Sequence, residues 1–480
     1  MNRQIHKVGV ALMVLFGALF LQLNYLQVVQ ADDLANDTRN TRVAVKDFSR
    51  QRGIIETADN VVLARSEPSG DEFEYQRIYP EGSLFGHVTG YFSFTYGSDG
   101  VERVYGDELS GRKLPLRVGS IRAQLVDSVR YGNVKLTVRK DVQQAAADAL
   151  GERRGAVVAL DPRTGELLSL WSYPSYDPTP LAGHGQSGVR NAWALYQLDS
   201  SKPLLARSFR ERYAPGSTFK VVTAAAATKY KPELVDNPYP QLRELDLPQT
   251  DRNLPNFGGG TCGGRLVDLL RVSCNTGFGQ MGLDIGGTDM RRMAEDFGFG
   301  SRPPIDLNAA ATSTFPEADR TNLPGLAQAS IGQGNVNASP LQMALVAAGI
   351  ANGGRIMTPH VMAEIRDNDG ELVRTYERSE WQQPLTAEQA RTVRDAMVVV
   401  VQSGSGTRAA IPGVTVAGKT GTAQTVGDNA HVWFVGFAPA ENPTVAVAVL
   451  VESQEGVSEA TGGRVAAPIA RTVMEAALKR

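Results

Sequence analysis

The sequence predicts an α/β fold in which one sheet joins segments that lie far apart in the chain. Three observations support this prediction. A β-hairpin is expected over residues 155–171, Ala-rich helices fill the middle of the chain, and apolar strands return beyond residue 414. Strands at both ends of a region, with helices between them, are typical of a sheet covered by helices.

The hairpin consists of two apolar strands, 155–160 (Gly-Ala-Val-Val-Ala-Leu) and 166–171 (Glu-Leu-Leu-Ser-Leu-Trp). Between them lies Asp161-Pro-Arg-Thr-Gly165, in which proline and glycine occupy positions that a turn favours. Before the hairpin, residues 136–138 predict a short strand. Residues 141–150 predict an amphipathic helix that ends before a glycine.

The later elements follow from the same periodicities. Helices are expected at 221–229 and 341–350, strands at 414–424, 432–437 and 444–451, and a final helix at 467–478. Residues 31–133 are instead polar and irregular, and they predict short strands and loops rather than long helices.

Composition narrows the functional classes. The chain has 480 residues, enough for two or three domains, and a formal net charge of -2. No block of lysine or arginine suggests binding to nucleic acid, so we exclude that partner. The histidines are scattered and form no HExxH pattern, so we expect neither a metal site nor a cofactor. They are His6, His87, His184, His360 and His431.

The first thirty residues carry a membrane-targeting signal. Arg3 and Lys7 precede an uncharged stretch, and Asp32 follows it. From Val8 to Val29 this stretch would form a helix about 33 Å long, which is enough to span a bilayer. Basic residues before it and acidic residues after it place the N-terminus inside and the rest outside. The alternatives are a cleaved signal peptide, for which no convincing Ala-x-Ala site exists, and a buried core helix.

Three segments result from these observations. Residues 1–30 are expected to form a cytoplasmic tip and a transmembrane anchor. Residues 31–133 lack charge clusters and paired acids, so we interpret them as a non-catalytic docking or spacer domain. Residues 134–480 contain the regular elements and are expected to form the catalytic domain.

The two cysteines, Cys262 and Cys274, lie close together in the sequence. A chain outside the cytoplasm can hold a disulfide, and Gly263 and Gly264 would let the intervening loop close. A disulfide is the favoured interpretation, and two free buried thiols are the alternative.

The first candidate catalytic motif is Ser217-Thr-Phe-Lys220, at the start of the predicted helix. Positions i and i+3 share a helix face, so Ser217 Oγ and Lys220 Nζ can meet. A lysine whose pKa is lowered by burial and by nearby cations can take the proton of a serine nucleophile. Alone, the motif is common by chance, and an unrelated surface serine and lysine would explain it.

Two further motifs follow along the chain. In Ser273-Cys-Asn275, a second hydroxyl could relay a proton and an amide could bind a peptide backbone, although a turn or helix cap would explain the same pair. Lys419-Thr-Gly-Thr422 lies in a predicted strand, where Gly421 would let an extended peptide approach. Lys419 and the hydroxyls of Thr420 and Thr422 could receive a carboxylate. The N–H groups of Ser217 and Thr422 could form an oxyanion hole.

In this order the three motifs form the set found in penicillin-binding proteins and class A β-lactamases. The chain resembles the class B penicillin-binding proteins, and most closely the penicillin-binding protein A type of actinobacteria. The resemblance covers nearly the whole chain. Besides the motifs it includes Arg52-Gly-Ile54, residues 155–178, Ala214–Lys220, Ile331-Gly-Gln-Gly334, Pro340-Leu-Gln-Met343 and Lys419–Gln424.

This resemblance implies a transpeptidase fold like that of the serine β-lactamases, an antiparallel sheet flanked by helices with a helical subdomain. It also implies a peptidoglycan D,D-transpeptidase that penicillin and other β-lactams inhibit covalently. Ser217 would be acylated by the penultimate D-Ala of a stem peptide with release of D-Ala, Lys220 would be its base, and Ser273 would shuttle a proton.

For the substrate, the resemblance implies that Asn275 holds the peptide backbone. Lys419, Thr420 and Thr422 would receive the terminal carboxylate of D-Ala-D-Ala or of a β-lactam. It further implies a single-pass cell-membrane protein whose catalytic domain lies outside the cytoplasm. Its partners would be a separate glycan polymerase of the SEDS family and other proteins of cell-wall growth and division.

Three alternative functions remain. Two of them use the same catalytic residues, and the third needs none of them. A β-lactamase would need a second base to activate water, and no Glu-rich loop suggests one. A D,D-carboxypeptidase would pass the same acyl group to water. A non-enzymatic scaffold for the division machinery would not need the complete motif set.

Overall fold

The computed structural model describes residues 2–30, 45, 48–114, 130–317, 322–424, 430–453 and 461–479. Its contacts group the chain into two units, residues 1–51 with 67–76 and residues 52–66 with 77–480. The smaller unit contains α1 (Asn2–Asn24), whose mid-section is almost entirely apolar. Among the described residues, only the helical stretch Arg3–Gln27 is long and apolar enough to cross a membrane.

The larger unit is rich in helices. They are α2 (Gly86–Thr89), α3 (Gly100–Val104), α4 (Gly106–Leu109), α5 (Lys140–Leu150), α6 (Gln186–Leu198), α7 (Lys220–Tyr230), α8 (Glu233–Asp236), α9 (Leu266–Val272), α10 (Asn275–Ile285), α11 (Gly287–Asp296), α12 (Leu323–Ser330), α13 (Pro340–Ala351), α14 (Ala387–Ser403) and α15 (Ala466–Leu478).

The strands are short in the N-terminal part and longer near the C-terminus. They are β1 (Ile55–Glu56), β2 (Val62–Pro68), β3 (Tyr75–Ile78), β4 (Phe92–Ser93), β5 (Gly97–Ser98), β6 (Gly132–Leu136), β7 (Gly155–Leu160), β8 (Leu167–Tyr173), β9 (Tyr239–Leu242), β10 (Glu244–Asp246), β11 (Asn253–Pro255), β12 (Cys262–Gly264), β13 (Ile356–Met357), β14 (Met362–Asp367), β15 (Leu372–Thr375), β16 (Glu380–Gln382), β17 (Ala417–Gln424), β18 (Ala430–Ala438) and β19 (Val445–Val451).

The central element is a five-stranded antiparallel sheet with the strand order β17-β18-β19-β7-β8. β19 is an uninterrupted apolar run and is buried along its whole length, as expected for a strand covered on both faces. It pairs with β7 in a register from Ala446 opposite Leu160 to Val451 opposite Gly155. This confirms the predicted α/β fold, in which one sheet joins distant segments.

Helices cover the two faces of this sheet. On one face, α5 and α15 bury residues such as Val142 and Val473 in one apolar cluster with Val447 and Val449 of β19. On the other face, the apolar helix α13 packs against β19 and β7. Because α13 is buried on nearly all sides, its sequence is apolar around its circumference. The sheet thus forms a rigid support for the edge strand β17.

The predicted element bounds are close to those in the structure. The helix expected at 221–229 runs from Lys220 to Tyr230, and the one expected at 141–150 starts one residue earlier. The strand expected from residue 414 begins at Ala417, because Val414 instead closes a bridge with Ile411. The strand expected at 136–138 lies earlier, at Gly132–Leu136.

A six-stranded sheet, in the order β15-β14-β6-β1-β2-β3, combines early and late parts of the chain. β6 pairs with β1 in parallel and with β14 in an antiparallel register. The domain boundary that the sequence predicts between residues 133 and 134 therefore falls inside β6. The N-terminal part of the larger unit therefore shares this sheet with residues 362–375.

Two arginines and one glutamate form a buried ionic cluster in this part. Arg52 and Arg77 both contact the Glu102 carboxylate, at 2.9 and 2.6 Å, and all three side chains are at most 4% exposed. Burial raises the pKa of Glu102, but the two arginines outweigh it and hold the pKa below its usual range. The two ion pairs thus connect Glu102 in α3 to Arg52, in the segment before β1, and to Arg77 in β3.

We expect Glu102→Ala to lower the free energy of unfolding by about 3–5 kcal/mol, because two buried guanidinium groups would lose their counter-charge. Guanidinium denaturation of the full chain measures this loss. The control is Glu364→Ala, which removes a partly exposed pair with Arg366 and should change stability by less than about 1 kcal/mol. Equal effects of the two variants would contradict a structural role for the cluster.

Candidate active site

Ser217 lies in a 3₁₀ turn, Gly216–Phe219, that leads directly into α7. The chain enters this turn through Gly216, which has φ = +52°, a conformation that favours glycine. A Cβ on Gly216 would lie 2.6 Å from the carbonyl oxygen of Thr422, so a side chain has no room there. The turn and strand β17 therefore pack in direct backbone contact, with Ser217 beside Thr422.

Lys220 is fully buried at the start of α7. Its Nζ donates hydrogen bonds to the carbonyl oxygen of Ser273 and to Asn275 Oδ1, both at 2.7 Å, and lies 3.3 Å from Ser273 Oγ. Among the hydrogen bonds of the described residues, none joins Lys220 Nζ to Ser217 Oγ. The lysine therefore contacts the second motif directly, whereas the expected serine–lysine pair is not hydrogen-bonded.

The two lysines of the motifs have unusual electrostatics. Burial, and then the charge of Lys419, hold the pKa of Lys220 well below its ordinary value. Burial also lowers the pKa of Lys419, to about 7. A lowered pKa increases the share of the unprotonated amine, which is the form of Lys220 that can accept a proton.

Ser273 bridges the two lysines. Its Oγ accepts a hydrogen bond from Lys419 Nζ at 2.9 Å and is hydrogen-bonded to Lys220 Nζ at 3.3 Å. Asn275 begins helix α10, and its Nδ2 donates to the carbonyl oxygen of Pro255 at 3.0 Å. The hydroxyl of Ser273 thus lies on a continuous hydrogen-bonded path between two amines, which is the geometry that a proton relay requires.

Strand β17 is the edge of the five-stranded sheet and carries the third motif. Lys419 Nζ donates to the carbonyl oxygen of Thr420 at 2.8 Å, and the Thr420 hydroxyl is 2.6 Å from Ser405 Oγ. A Cβ on Gly421 would lie 2.8 Å from Thr218 Cγ2, so the strand can approach the Ser217 turn only with glycine here. An extended peptide could pair with such an edge.

A cavity of about 960 Å³ opens at the junction of the three motifs. Six of the predicted catalytic and substrate-binding residues line it: Ser217, Ser273, Asn275, Thr420, Gly421 and Thr422. Lys220 and Lys419 are fully buried and reach the cavity wall through Ser273. The hydroxyls of Ser217 and Ser273 and the edge of strand β17 thus face a common space that is large enough for a peptide terminus.

Other residues in the cavity wall escaped the sequence reasoning. Ser405, which contacts the Thr420 hydroxyl, and residues 461–463 approach from segments with no catalytic motif. Gly462 passes so close to Gly421 that a Cβ would lie 2.6 Å from the Gly421 carbonyl oxygen. No sequence motif marks such residues, because their place in the cavity wall depends on how distant loops pack.

The cysteines form a disulfide between Cys262 in β12 and Cys274, with Cα atoms 5.8 Å apart. Cys262 lines the cavity, and Cys274 is the middle residue of the second motif. Among the described residues, no group of three His, Cys, Asp or Glu side chains is placed to hold a metal ion.

A buried ionic network contacts the residues that precede the Ser217 turn. Arg207 and the Tyr213 hydroxyl both contact the Glu452 carboxylate, at 2.8 and 2.7 Å. On the neighbouring strand, Trp433 Nε1 donates to the carbonyl oxygen of Ala214 at 3.0 Å. These contacts fix the residues immediately before Ser217 to the sheet.

Two family models match the chain. The transpeptidase domain of penicillin-binding proteins matches residues 155–475. The dimerisation domain of penicillin-binding protein A matches residues 52–134.

Individual relatives agree with these matches. The peptidoglycan D,D-transpeptidase PbpA of Mycolicibacterium smegmatis is 40% identical over 100% of this chain and 99% of its own length. The protein of the same name from Mycobacterium tuberculosis is 38% identical over the same shares. Among solved structures, the ceftriaxone acyl-enzyme complex of M. tuberculosis penicillin-binding protein A has a TM-score of 0.84 at 37% identity, covering 91% of this chain and 100% of that one.

Proposed function

Because this chain belongs to the penicillin-binding transpeptidase family, we propose that Ser217 is the nucleophile with which it crosslinks peptidoglycan stem peptides. The chain is a serine-type peptidoglycan D,D-transpeptidase, and β-lactams inhibit it covalently. The observation that carries the choice of Ser217 is the convergence of three motifs on one cavity, with a buried, low-pKa lysine one turn from the serine.

In the acylation step, Ser217 Oγ attacks the carbonyl carbon of the penultimate D-Ala. The unprotonated amine of Lys220 takes the hydroxyl proton, either directly or after the side chains shift on substrate binding. The C–N bond to the terminal D-Ala then breaks, and the leaving amine receives a proton through Ser273 Oγ. The product is an ester on Ser217 and a free D-Ala.

The same site has groups for recognising the substrate. The N–H groups of Ser217 and Thr422 are proposed to hold the oxyanion that forms during the attack. The hydroxyls of Thr420 and Thr422, with the charge of Lys419 behind them, would bind the terminal carboxylate of D-Ala-D-Ala or of a β-lactam. Asn275 would bind the peptide backbone.

In the second step an amine of a neighbouring stem peptide attacks the ester and forms the crosslink. If water attacks instead, the products are those of a D,D-carboxypeptidase. The acylated serine is the same in both cases, so only the acceptor distinguishes these reactions.

For the rest of the chain we propose the three expected segments: the anchor at 1–30, a docking segment at 31–133 and the catalytic part from 134 onwards. The apolar helix α1 would hold the protein in the cell membrane with its catalytic part outside the cytoplasm. A separate glycan polymerase of the SEDS family and other division proteins are its proposed partners. Docking would use the segment before the transpeptidase region.

The test is incubation of the full chain with lipid-linked glycan strands and a defined amine acceptor. Peptide mapping after penicillin should place the acyl adduct on Ser217. Mass spectrometry of the digested glycan should then find crosslinked dimers. Release of D-Ala without dimers would support a carboxypeptidase, and fast turnover of penicillin would support a β-lactamase. An adduct on any other residue would remove Ser217 from its proposed role.

A further inference from the structure

The cavity at the three motifs carries very few charges. Among the described residues that line it, Arg271 is the only one with a cationic side chain, and Asp268 is the only one with an anionic side chain. Lys220 and Lys419 are buried behind the cavity wall. A substrate that brings a carboxylate into this cavity therefore meets one positive charge directly, that of Arg271.

The guanidinium group of Arg271 has no partner of its own. The residue lies in the last turn of α9, two positions before Ser273, and is partly buried. In the part of the chain that the structure describes, no hydrogen bond or ion pair involves this group. Asp268 instead accepts a hydrogen bond from the backbone N–H of Arg265 at 3.2 Å. Arg271 thus keeps a planar fork of N–H donors, which matches the geometry of a carboxylate.

The backbone of residues 404–405 joins Arg271 to the third motif. The N–H of Ser405 donates to the carbonyl oxygen of Arg271 at 3.1 Å, and a Cβ on Gly404 would lie 3.0 Å from Arg271 Cγ. The Ser405 hydroxyl is in turn 2.6 Å from the Thr420 hydroxyl. Arg271 therefore approaches the cavity on the side of Thr420, where the terminal carboxylate of the substrate is proposed to bind.

Lys419 contributes its charge to this side only from within the protein. Its Nζ donates to Ser273 Oγ at 2.9 Å and to the carbonyl oxygen of Thr420 at 2.8 Å, and the side chain is fully buried. Burial also lowers its pKa to about 7, so a large share of the amine is uncharged at neutral pH. An arginine in the cavity wall keeps its charge at every physiological pH and supplies what the buried lysine does not.

We propose that Arg271 binds the α-carboxylate of the D-alanine that leaves and then the α-carboxylate of the acceptor that replaces it. The preferred acceptor is therefore an amine whose own carbon atom carries a carboxylate. The proposal rests on the function assigned to Ser217 above and names the class of acceptor for that site.

The two steps of the reaction use one position for the amine. In acylation, the C–N bond to the terminal D-alanine breaks. In transfer, the acceptor nitrogen bonds to the same carbonyl carbon and the ester bond to Ser217 Oγ breaks. The proton that the amine loses returns to Ser217 Oγ through Ser273 and Lys220. Because transfer is acylation in reverse with a new amine, the acceptor carboxylate lies where the D-alanine carboxylate lay, beside Arg271.

The experiment measures how the acyl-enzyme divides between an acceptor and water. The full chain is acylated with the N-benzoyl-D-alanyl thioester of 2-mercaptoacetamide, whose leaving group has no carboxylate, so that acylation does not depend on Arg271. D-alanine and D-alaninamide are compared as acceptors, and mass spectrometry gives the ratio of transfer to hydrolysis. At equal concentrations of free amine, wild type should transfer to D-alanine about 10- to 100-fold better, because only D-alanine offers a charge-assisted contact.

Substitutions of Arg271 should act on this preference alone. Arg271→Met should remove the preference for D-alanine and leave hydrolysis and transfer to D-alaninamide in place. Arg271→Lys keeps a positive charge without the planar fork, so it should retain part of the preference. Arg291→Gln is the matched control, because it removes an exposed arginine of α11 that pairs with Glu295 at 2.8 Å. It should behave as wild type.

Labelling of Ser217 by penicillin shows that each variant is folded and can be acylated. If Arg271→Met does not fold, Arg271→Gln takes its place in the same comparison. The proposal is overturned if the folded variant keeps the wild-type preference, if wild type does not prefer D-alanine, or if Arg291→Gln loses the preference equally. Failure of wild type to form an adduct at Ser217 would refute the proposed function instead.

Discussion

Ser217→Ala is expected to abolish covalent labelling by penicillin and the formation of crosslinked dimers. The variant lacks the Ser217 hydroxyl, which lines the cavity beside the backbone of Thr422. Because no ester can form, the loss should exceed the effect of removing any binding group, on the order of 10⁴-fold or more. Intact-mass spectrometry after penicillin treatment measures the adduct, and digestion of the glycan measures the crosslinks.

The fold of the variant should be unchanged, since alanine occupies the turn without strain. Ser379→Ala provides the matched control, because this exposed hydroxyl pairs only with Thr358 at 2.9 Å. It should retain full labelling. Residual labelling of Ser217→Ala at the wild-type stoichiometry would mean that another residue is the nucleophile. If the variant kept full function in cells, the non-enzymatic scaffold would become the better description.

Local patterns were sufficient to predict most of the regular elements. The turn Asp161–Gly165, the continuous apolar run of β19 and the Ala-rich helix α7 each carry their own short-range signal. The order of the three motifs then identified the family. These features could be predicted because each depends on residues that are close together in the sequence.

Features that depend on packing between distant segments could not be predicted. β6 pairs with the distant strand β14, with Gly132 opposite Asp367, and no local pattern encodes such a partner. The expected boundary between residues 133 and 134 lies within β6, which pairs with both β1 and β14. Asn256 and Ser405 are ordinary polar residues in loops, and only the folded chain brings them to the second and third motifs.

The contacts of Lys220 changed the expected geometry of the first motif. Helical spacing predicts that Ser217 and Lys220 meet, whereas the lysine instead donates to Ser273 and Asn275. The spacing correctly places the lysine on the helix face toward the second motif. It could not predict the oxygen atoms of Ser273 and Asn275 that accept hydrogen bonds from the lysine, because they come from a later part of the chain.

Lys220→Met is expected to reduce the rate of acylation by 10²- to 10⁴-fold, the range that loss of a general base produces. Methionine has a similar length and suits a buried position, so the helix should keep its packing. The variant should also lose the acid limb of the pH profile, because the group whose lowered pKa sets that limb is gone. Stopped-flow measurements with fluorescent penicillin across the pH range test both effects.

Lys419→Met tests the proposed base, Lys220, by removing the charge beside it. Removing the charge of Lys419 removes one of the two causes that lower the pKa of Lys220, so the acid limb should move to higher pH but persist. Binding of the substrate carboxylate should also weaken, which raises KM.

A Lys220→Met enzyme that keeps both its rate and its acid limb would exclude Lys220 as the base. The low pKa of Lys419, about 7, would then make that lysine the next candidate, connected to the cavity by the hydroxyl of Ser273.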